Sequence, residues 1–489
     1  MTFSVQTFFV VFVQSFFFAY FILANTVYLG MLIIAFRKIR DILRADAIVD
    51  FETLKNLKGL PGVSLLVPAF NEEATIVSTV HSLGKLNYPS LEIVIVDDGS
   101  TDSTAEKCIK EFNLIRREVS YQTSIETETV VETYESKEKL STSVSRVVLL
   151  RKENGGKSDA LNVGINAART NYICIVDADS VMDRGAILRV MEPVLEDPEH
   201  VVASGGQVGI ANGSIFEEGA LKERRFSNNP LVLLQQVEYM QAFTIGRTAR
   251  SALNALVVLS GAFSLIRVDV LREIGGFLTP KVRARVRSEY CGEEYTVGED
   301  MEIILRIQRY LRDKGERGRV AYLPHPVTWT HVPEKLGVLA RQRTRWFRGL
   351  TESLSFHRNM IFNPKYGRTG WIGLPYELIF EFFGGLVEII GYLVFITLYI
   401  LGLLNIYAFL FFLAISVGYG TVLSFIAVVL GLWPERVGDI ETALLQRLRT
   451  VDIIKIMIAS IFFHFGYRQL RLIWHWQGLF QYLRKKKSW

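Results

Sequence analysis

The chain has 489 residues, of which 21% are charged, and a net charge of +5; its mean hydropathy is +0.24. That much charge excludes a bundle made only of membrane helices, and the length allows a soluble domain beside a membrane region. The basic excess lies beside apolar segments and suits anionic lipid head groups, while no RNA-binding signature or zinc-finger spacing points to nucleic acid as a partner.

Phe8 to Phe36 contains no charged residue, and a helix crosses the hydrocarbon core with about 20 apolar residues. A cleaved signal peptide fits poorly, because Met1 to Gln6 carries no positive charge and the apolar run is too long. A membrane anchor is expected. Arg37, Lys38, Arg40 and Arg44 follow at once, which predicts an N-terminus outside and a cytoplasmic continuation. The three cysteines, Cys108, Cys174 and Cys291, are odd in number and far apart. They form no disulfide framework or metal pair and suit a reducing compartment.

From Val63 the pattern changes. Val63–Val67, Leu91–Val96 and Tyr172–Val176 are short apolar runs that end in polar residues. Helix-like stretches such as Glu73–Leu86 and Gly185–Glu196 lie between them. Strands alternating with helices predict a mainly parallel α/β sheet, with ligands bound at the carboxyl ends of the strands. Leu114–Arg146 is rich in Ser, Thr and Glu and is expected to be an insertion, in the form of a mobile hairpin. Lys281–Glu294 is a second polar stretch. A solvated loop is its plainer reading, and a gating loop is the sharper one, because it lies just before Gly298.

After Trp371 the chain is apolar again. Pro375–Leu404 and Tyr407–Leu432 are each long enough to span a bilayer. Pro434–Thr450 is charged and expected in the cytoplasm. Val451–Tyr467 is short and precedes a basic tail. A crossing there would put that tail outside, so an interfacial or re-entrant segment is expected. Glu377, Glu381 and Glu388 share a helical face in the apolar region. They line either a polar path through the membrane or, for Glu377 and Glu381, its interface. Tyr239 and Phe243 are expected in the core, and His331 and His464 as structural residues.

The soluble part holds an ordered series of acidic motifs. Asp97-Asp98-Gly99-Ser100 and Asp177-Ala178-Asp179 close two strands, and Glu299-Asp300 opens a helical run, Met301–Tyr310. Any one of them alone reads equally as a turn or a helix cap; their order is far more specific. With Pro68-Ala-Phe-Asn-Glu72, Asn154-Gly-Gly-Lys-Ser-Asp-Ala-Leu-Asn162, Ser260-Gly-Ala-Phe263, Gly298-Glu-Asp300 and Gln342-Arg-Thr-Arg-Trp346, the chain resembles the family 2 glycosyltransferases of GT-A fold. Within these it is similar to the membrane-embedded cellulose, hyaluronan and poly-N-acetylglucosamine synthases.

The resemblance implies a cytosolic, Rossmann-like GT-A domain over 60–335. It implies an N-terminal transmembrane helix with a basic flank (1–45), interfacial helices carrying Gln-x-x-Arg-Trp (336–370) and transmembrane helices (371–432). A cytoplasmic loop, an interfacial segment and the basic tail (433–489) follow. It implies a multi-pass protein of the plasma membrane with its catalytic domain in the cytoplasm. It also implies an inverting hexosyltransferase using a UDP-sugar donor, a glycan or lipid acceptor and a Mg or Mn divalent cation, with membrane lipids as further partners.

Residue by residue, it gives the base and ribose to Ala69, Phe70, Glu72, Asp97 and Asp98. Lys157 meets phosphate as a point charge, Asp177 contacts the donor, and Asp179 holds the metal, whose remaining ligands are waters and phosphates. Asp300, beside Glu299, takes the acceptor proton. Ser260, Gly261 and Trp346 face the acceptor. Gln342, Arg345 and Trp346 face the donor, with Arg345 offsetting the leaving diphosphate. The plain alternative for the last segment is an amphipathic helix resting on the membrane, which Arg341, Arg343 and Arg348 fit.

Three functions compete. The first is a processive synthase that makes and extrudes a β-linked polymer. The second is a single-transfer enzyme that glycosylates a lipid. The third is a non-catalytic transporter or nucleotide-sugar sensor, against which Asp179, Asp300 and Trp346 argue. The sequence names neither the sugar nor the linkage.

Overall fold

The computed structural model describes residues 5–46, 59–119, 122–217, 220–282, 296–404, 406–433 and 448–484. Most of the 281–294 stretch, residues 434–447 and the tail from 485 lie outside the described residues.

The strands are β1 (Val63–Ala69), β2 (Leu91–Asp97), β3 (Leu114–Arg116), β4 (Val130–Ser136), β5 (Val144–Lys152), β6 (Tyr172–Val176), β7 (Val181–Met182), β8 (Val201–Ile210), β9 (Ile215–Glu217), β10 (Ala220–Glu223), β11 (Phe263–Arg267) and β12 (Arg319–Thr330). Ten form one sheet in the order β3-β4-β5-β2-β1-β6-β11-β8-β12-β7. β5, β2, β1 and β6 are parallel. β11 runs antiparallel to both of its neighbours, so the sheet is mixed rather than mainly parallel. The near-continuous apolar runs follow from burial on both faces: every residue of β2, and all of β1 except Pro68, is buried.

The 114–146 stretch differs from the expected mobile hairpin. β3 and β4 extend the sheet beyond β5. The link between them is tied down as well, since the Asn166 amide donates to the Ile125 carbonyl at 2.8 Å and the Ile125 side chain is buried. Val130-Val-Glu-Thr-Tyr134 is rich in β-branched and aromatic residues, which favour a strand and which the Ser/Thr/Glu content masked. Cys108 and Cys174 are buried free thiols.

The helix Glu299–Asp313 packs against the sheet. Its Glu302 is buried with Arg306 at 2.9 Å and His357 at 3.4 Å. Burial works against the charge, but Arg306 and then His357 outweigh it and bring the carboxyl down to about 2. The folded pKa is below the unfolded value, so this stabilisation is whole above about pH 4.5 and lost as pH falls toward 2. It amounts to something on the order of 3 kcal/mol. Melting followed against pH should show this acid limb, and Glu302→Gln should flatten it while lowering stability at neutral pH.

Among the described residues four helices are long and apolar enough to cross a membrane: Val10–Ala45, Thr369–Ile400, Ile406–Gly431 and Thr450–Leu483. The first packs through Met31, Leu32, Ala35 and Ile39 on Ile245 and Ala249 of the soluble domain, so the two regions share one interface. The last includes Val451–Tyr467, expected as an interfacial or re-entrant segment, and runs on beyond it. Thr450–Phe462 is helical, the backbone leaves helical geometry at Phe465 and Gly466 (φ +101°), and Arg468–Leu483 continues. Two of the basic residues that follow that segment are paired internally. Arg468 meets Glu388 at 2.7 Å, and Arg471 meets Glu238 at 3.4 Å. Glu377 is likewise buried and paired with Arg250 of the soluble domain. His464 is buried against Ser424 at 2.6 Å, and Tyr239 and Phe243 lie in the core, as expected.

Candidate active site

The site lies at the carboxyl ends of β1, β2 and β6, where the polar residues after each strand meet. The loops after β1 and β2 are laced together: the Ser100 hydroxyl accepts from Asn71 N at 3.0 Å, and Asn71 Oδ1 accepts from Thr101 N at 2.8 Å. Ala69 is buried, and its carbonyl accepts from Asp98 N at 2.9 Å. Phe70 is exposed, and the Glu72 carboxylate accepts from the Thr75 hydroxyl at 2.7 Å.

Asp97 and Asp98 are both buried. Asp97 accepts from Ser100 N at 3.1 Å and from Arg151 at 3.4 Å. The two Asp98 oxygens take the Gly155 and Gly156 N–H groups at 3.0 and 2.8 Å and also pair with Lys152. Lys152 reaches Asp159 at 2.9 Å as well. In this arrangement Asp98 shapes the glycine-rich loop that delivers Lys157, while Asp97 holds the turn at Ser100. The sequence reading did not single out Lys152, because a lysine at the end of a strand carries no pattern of its own.

Lys157 opens the helix Lys157–Ala167. Its ammonium lies 2.5 Å from Asp177 Oδ1 and donates to the Gly261 carbonyl at 3.1 Å. Burial opposes its charge, yet Asp177, Glu299 and Asp300 together hold it above the usual lysine range. Asp179 stands open to solvent at the strand end. Partial desolvation, then Asp177 and Glu72, push its carboxyl above the usual carboxylate range. Among the described residues no group of three or more His, Cys, Asp or Glu converges into a ready-made metal cage. The acidic oxygens near Asp179 are hard donors of the kind Mg²⁺ or Mn²⁺ takes along with waters and substrate phosphates, so the residue types fit such an ion.

Lys157, Ser260, Gly261, Glu299 and Asp300 line one cavity, floored by Leu161, Ile175 and Ile303. A methyl group built on Gly261 would stand 3.7 Å from both Asp300 Oδ2 and Glu299 Oε1, so both carboxylates face that loop. Asp300 Oδ1 accepts from Met301 N at 2.9 Å. One oxygen thus serves the helix start while the other faces the loop. Burial pushes Glu299's carboxyl up, with Lys157 pulling against this and Asp300 adding to it.

The Gln-x-x-Arg-Trp segment lies on the helix Leu336–Phe356. It approaches the start of Glu299–Asp313 so closely that a Cβ on Gly349 would lie 2.7 Å from the Cα of Gly298. Glu352 of the same helix accepts from Thr296 Oγ1 and Val297 N, both at 2.9 Å, and from Arg348 at 2.7 Å. Arg345 acts electrostatically on Glu299, Trp346 is half exposed, and Gln342 meets Arg343 at 2.8 Å. Arg343 and Arg348 are therefore not the lipid-facing cations of a surface helix. Arg343 is buried against Glu238 at 2.8 Å, and Arg348 is held by Glu352. Helical periodicity places side chains on faces but does not reveal which face is covered.

A family model described as "Glycosyltransferase like family 2" matches residues 114–349, and another, "Glycosyl transferase family 2", matches 64–121. They meet on the domain that carries this site, and the chain belongs to the family 2 glycosyltransferases. It is similar to the poly-β-1,6-N-acetyl-D-glucosamine synthases of Staphylococcus epidermidis, 25% identical over 300 residues (60% of this chain, 55% of the relative), and of Staphylococcus aureus strain COL, 25% over 301 residues (61% and 57%). The chain thus spans a little over half the length of these curated relatives. Among solved structures, a mannosyltransferase from Pyrobaculum calidifontis in complex with GDP-Man and Mn2+ is 14% identical with a TM-score of 0.49, covering 96% of this chain and 100% of that one.

Proposed function

We propose that the chain transfers a sugar from a nucleotide-sugar donor, with inversion, onto a growing β-linked glycan, and that its membrane helices pass the product outward. The observation that supports this reading most is the meeting of Lys157 and Asp177 with Glu299 and Asp300 around one cavity. It puts a phosphate-binding cation and candidate bases within a sugar's reach of each other. The names of the synthase relatives make UDP-N-acetylglucosamine the first donor to try.

Asp97 and Asp98 brace the loop under the nucleoside, and Ala69, Phe70 and Glu72 flank the base. Lys157 and Asp177 hold the donor's diphosphate and sugar ends, with Asp179 and its acidic neighbours as the site for Mg²⁺ or Mn²⁺. When bound, that ion would neutralise diphosphate charge. Ser260, Gly261 and Trp346 place the acceptor hydroxyl, and Asp300 accepts its proton as the hydroxyl attacks the anomeric carbon. Gln342 and Arg345 face the departing diphosphate, where Arg345 offsets its charge. The catalytic domain sits on the cytoplasmic side of the plasma membrane, in keeping with the basic flank of the first helix.

The test is to size the product made from UDP-N-acetylglucosamine by protein in membrane vesicles. A long homopolymer is expected. A single sugar on a lipid would move the chain to lipid glycosylation.

A further inference from the structure

Arg343 lies between Gln342 and Arg345, and the transferase reading gives it no role. Its guanidinium is buried and makes two bonds to Glu238 Oε2, at 2.8 and 3.2 Å. The same group donates to Gln342 Oε1 at 2.8 Å and lies 4.1 Å from the ring centroid of Trp346. One planar fork therefore touches both flanking motif side chains, a task a lysine's point charge performs poorly. Its cation covers the indole on one side, and Trp346 remains 39% exposed.

Glu238 does not act alone. The Tyr467 hydroxyl donates to it at 2.7 Å, and Arg471 stands 3.4 Å from its other oxygen. Both belong to the last helical segment, beyond the soluble domain. A carboxylate that accepts from Arg343 and Tyr467 and is ion-paired with Arg471, on two distant segments, has little freedom to turn, and neither does the guanidinium it grips.

We propose that Arg343 is a positioning residue, fixed by Glu238, that sets Gln342 and Trp346 toward the cavity, and that the C-terminal helix takes part in catalysis through Tyr467 and Arg471. The inference rests on the transferase reading. It adds that the last helix does more than anchor the chain, because loosening it shifts Trp346 at the acceptor and Gln342 at the departing diphosphate. Lys157, Asp177 and Asp179 hold the donor independently.

The experiment uses the full chain in detergent and follows UDP release and transfer to glycan separately, with melting temperature alongside. Arg343→Lys and Tyr467→Phe are chosen because each keeps the charge balance of the buried cluster, which outright removal would break. For Arg343→Lys the expected result is a fall in kcat for transfer of about 100-fold, the scale of a 1 Å misplacement, with donor KM changed far less. Tyr467→Phe should shift the same ratio of transfer to release in the same direction by a smaller factor. Transfer and release falling together in step with the melting temperature would overturn the proposal, since that is the signature of a merely structural pair. Unchanged transfer in both variants would overturn it too. If the wild-type chain used no donor in this assay, the transferase reading itself would fail, which separates the two outcomes.

Discussion

Asp300→Asn is expected to lower kcat by about 10³-fold, within the range usual for losing a general base, while leaving donor KM and the melting temperature close to those of the unaltered chain. Asp300 does two things, and the substitution separates them. Its Oδ1 accepts from Met301 N, and an asparagine oxygen can do the same, so the start of the helix survives. Its Oδ2 faces the Gly261 loop, and there an amide cannot take a proton. Steady-state kinetics with paired melting curves measures both. A variant that kept its activity would reduce Asp300 to a helix-start residue and leave the neighbouring Glu299 as the candidate base.

Gly349→Ala is expected to cost almost as much activity by a different route. The new Cβ would stand 2.7 Å from the Cα and 2.9 Å from the N of Gly298. Both atoms are backbone, so no flexible side chain can yield. The two helices must separate, at a cost of about 1–3 kcal/mol for overpacking. Their separation moves Trp346 and Arg345 relative to Asp300, and a 1 Å misplacement is worth about 100-fold in rate. Gly337→Ala in the same helix is the matched comparison. Nothing lies within 4 Å of its Cβ, so it should leave the rate alone and stabilise the exposed helix by about 0.5–1 kcal/mol. Melting curves and kcat for the two variants, side by side, decide whether the close approach or mere helix propensity is at work.

The parts of this chain that could be read from sequence are those where one local pattern has one physical meaning. Tyr172–Val176 was legible to the residue as β6, because an apolar β-rich run closed by Asp-Ala-Asp has few other interpretations. The helix at Asp300 was legible within a few residues. Other features depended on partners far away in sequence. β4 was hidden because its Ser, Thr and Glu content reads locally as a loop, while the strands it pairs with, β3 and β5, lie elsewhere in the chain. Arg343 looked like a membrane-surface cation because its counter-ion, Glu238, lies 105 residues earlier. Val451–Tyr467 was read as a short interfacial or re-entrant segment because a basic tail follows it, and the acids that pair with Arg468 and Arg471 sit on other helices, outside any local pattern. Gly349 carried no signal at all, since a small residue shows its purpose only when a second backbone comes against it.

The measurement that tests the central claim most directly is UDP release from UDP-N-acetylglucosamine and a panel of other UDP-sugars by the purified full chain, with Mn²⁺ or Mg²⁺ and then with a chelator. The account predicts turnover of one donor in preference to the rest, dependent on the divalent ion and lost in Asp300→Asn. No turnover of any donor, or turnover indifferent to Asp300, would contradict it.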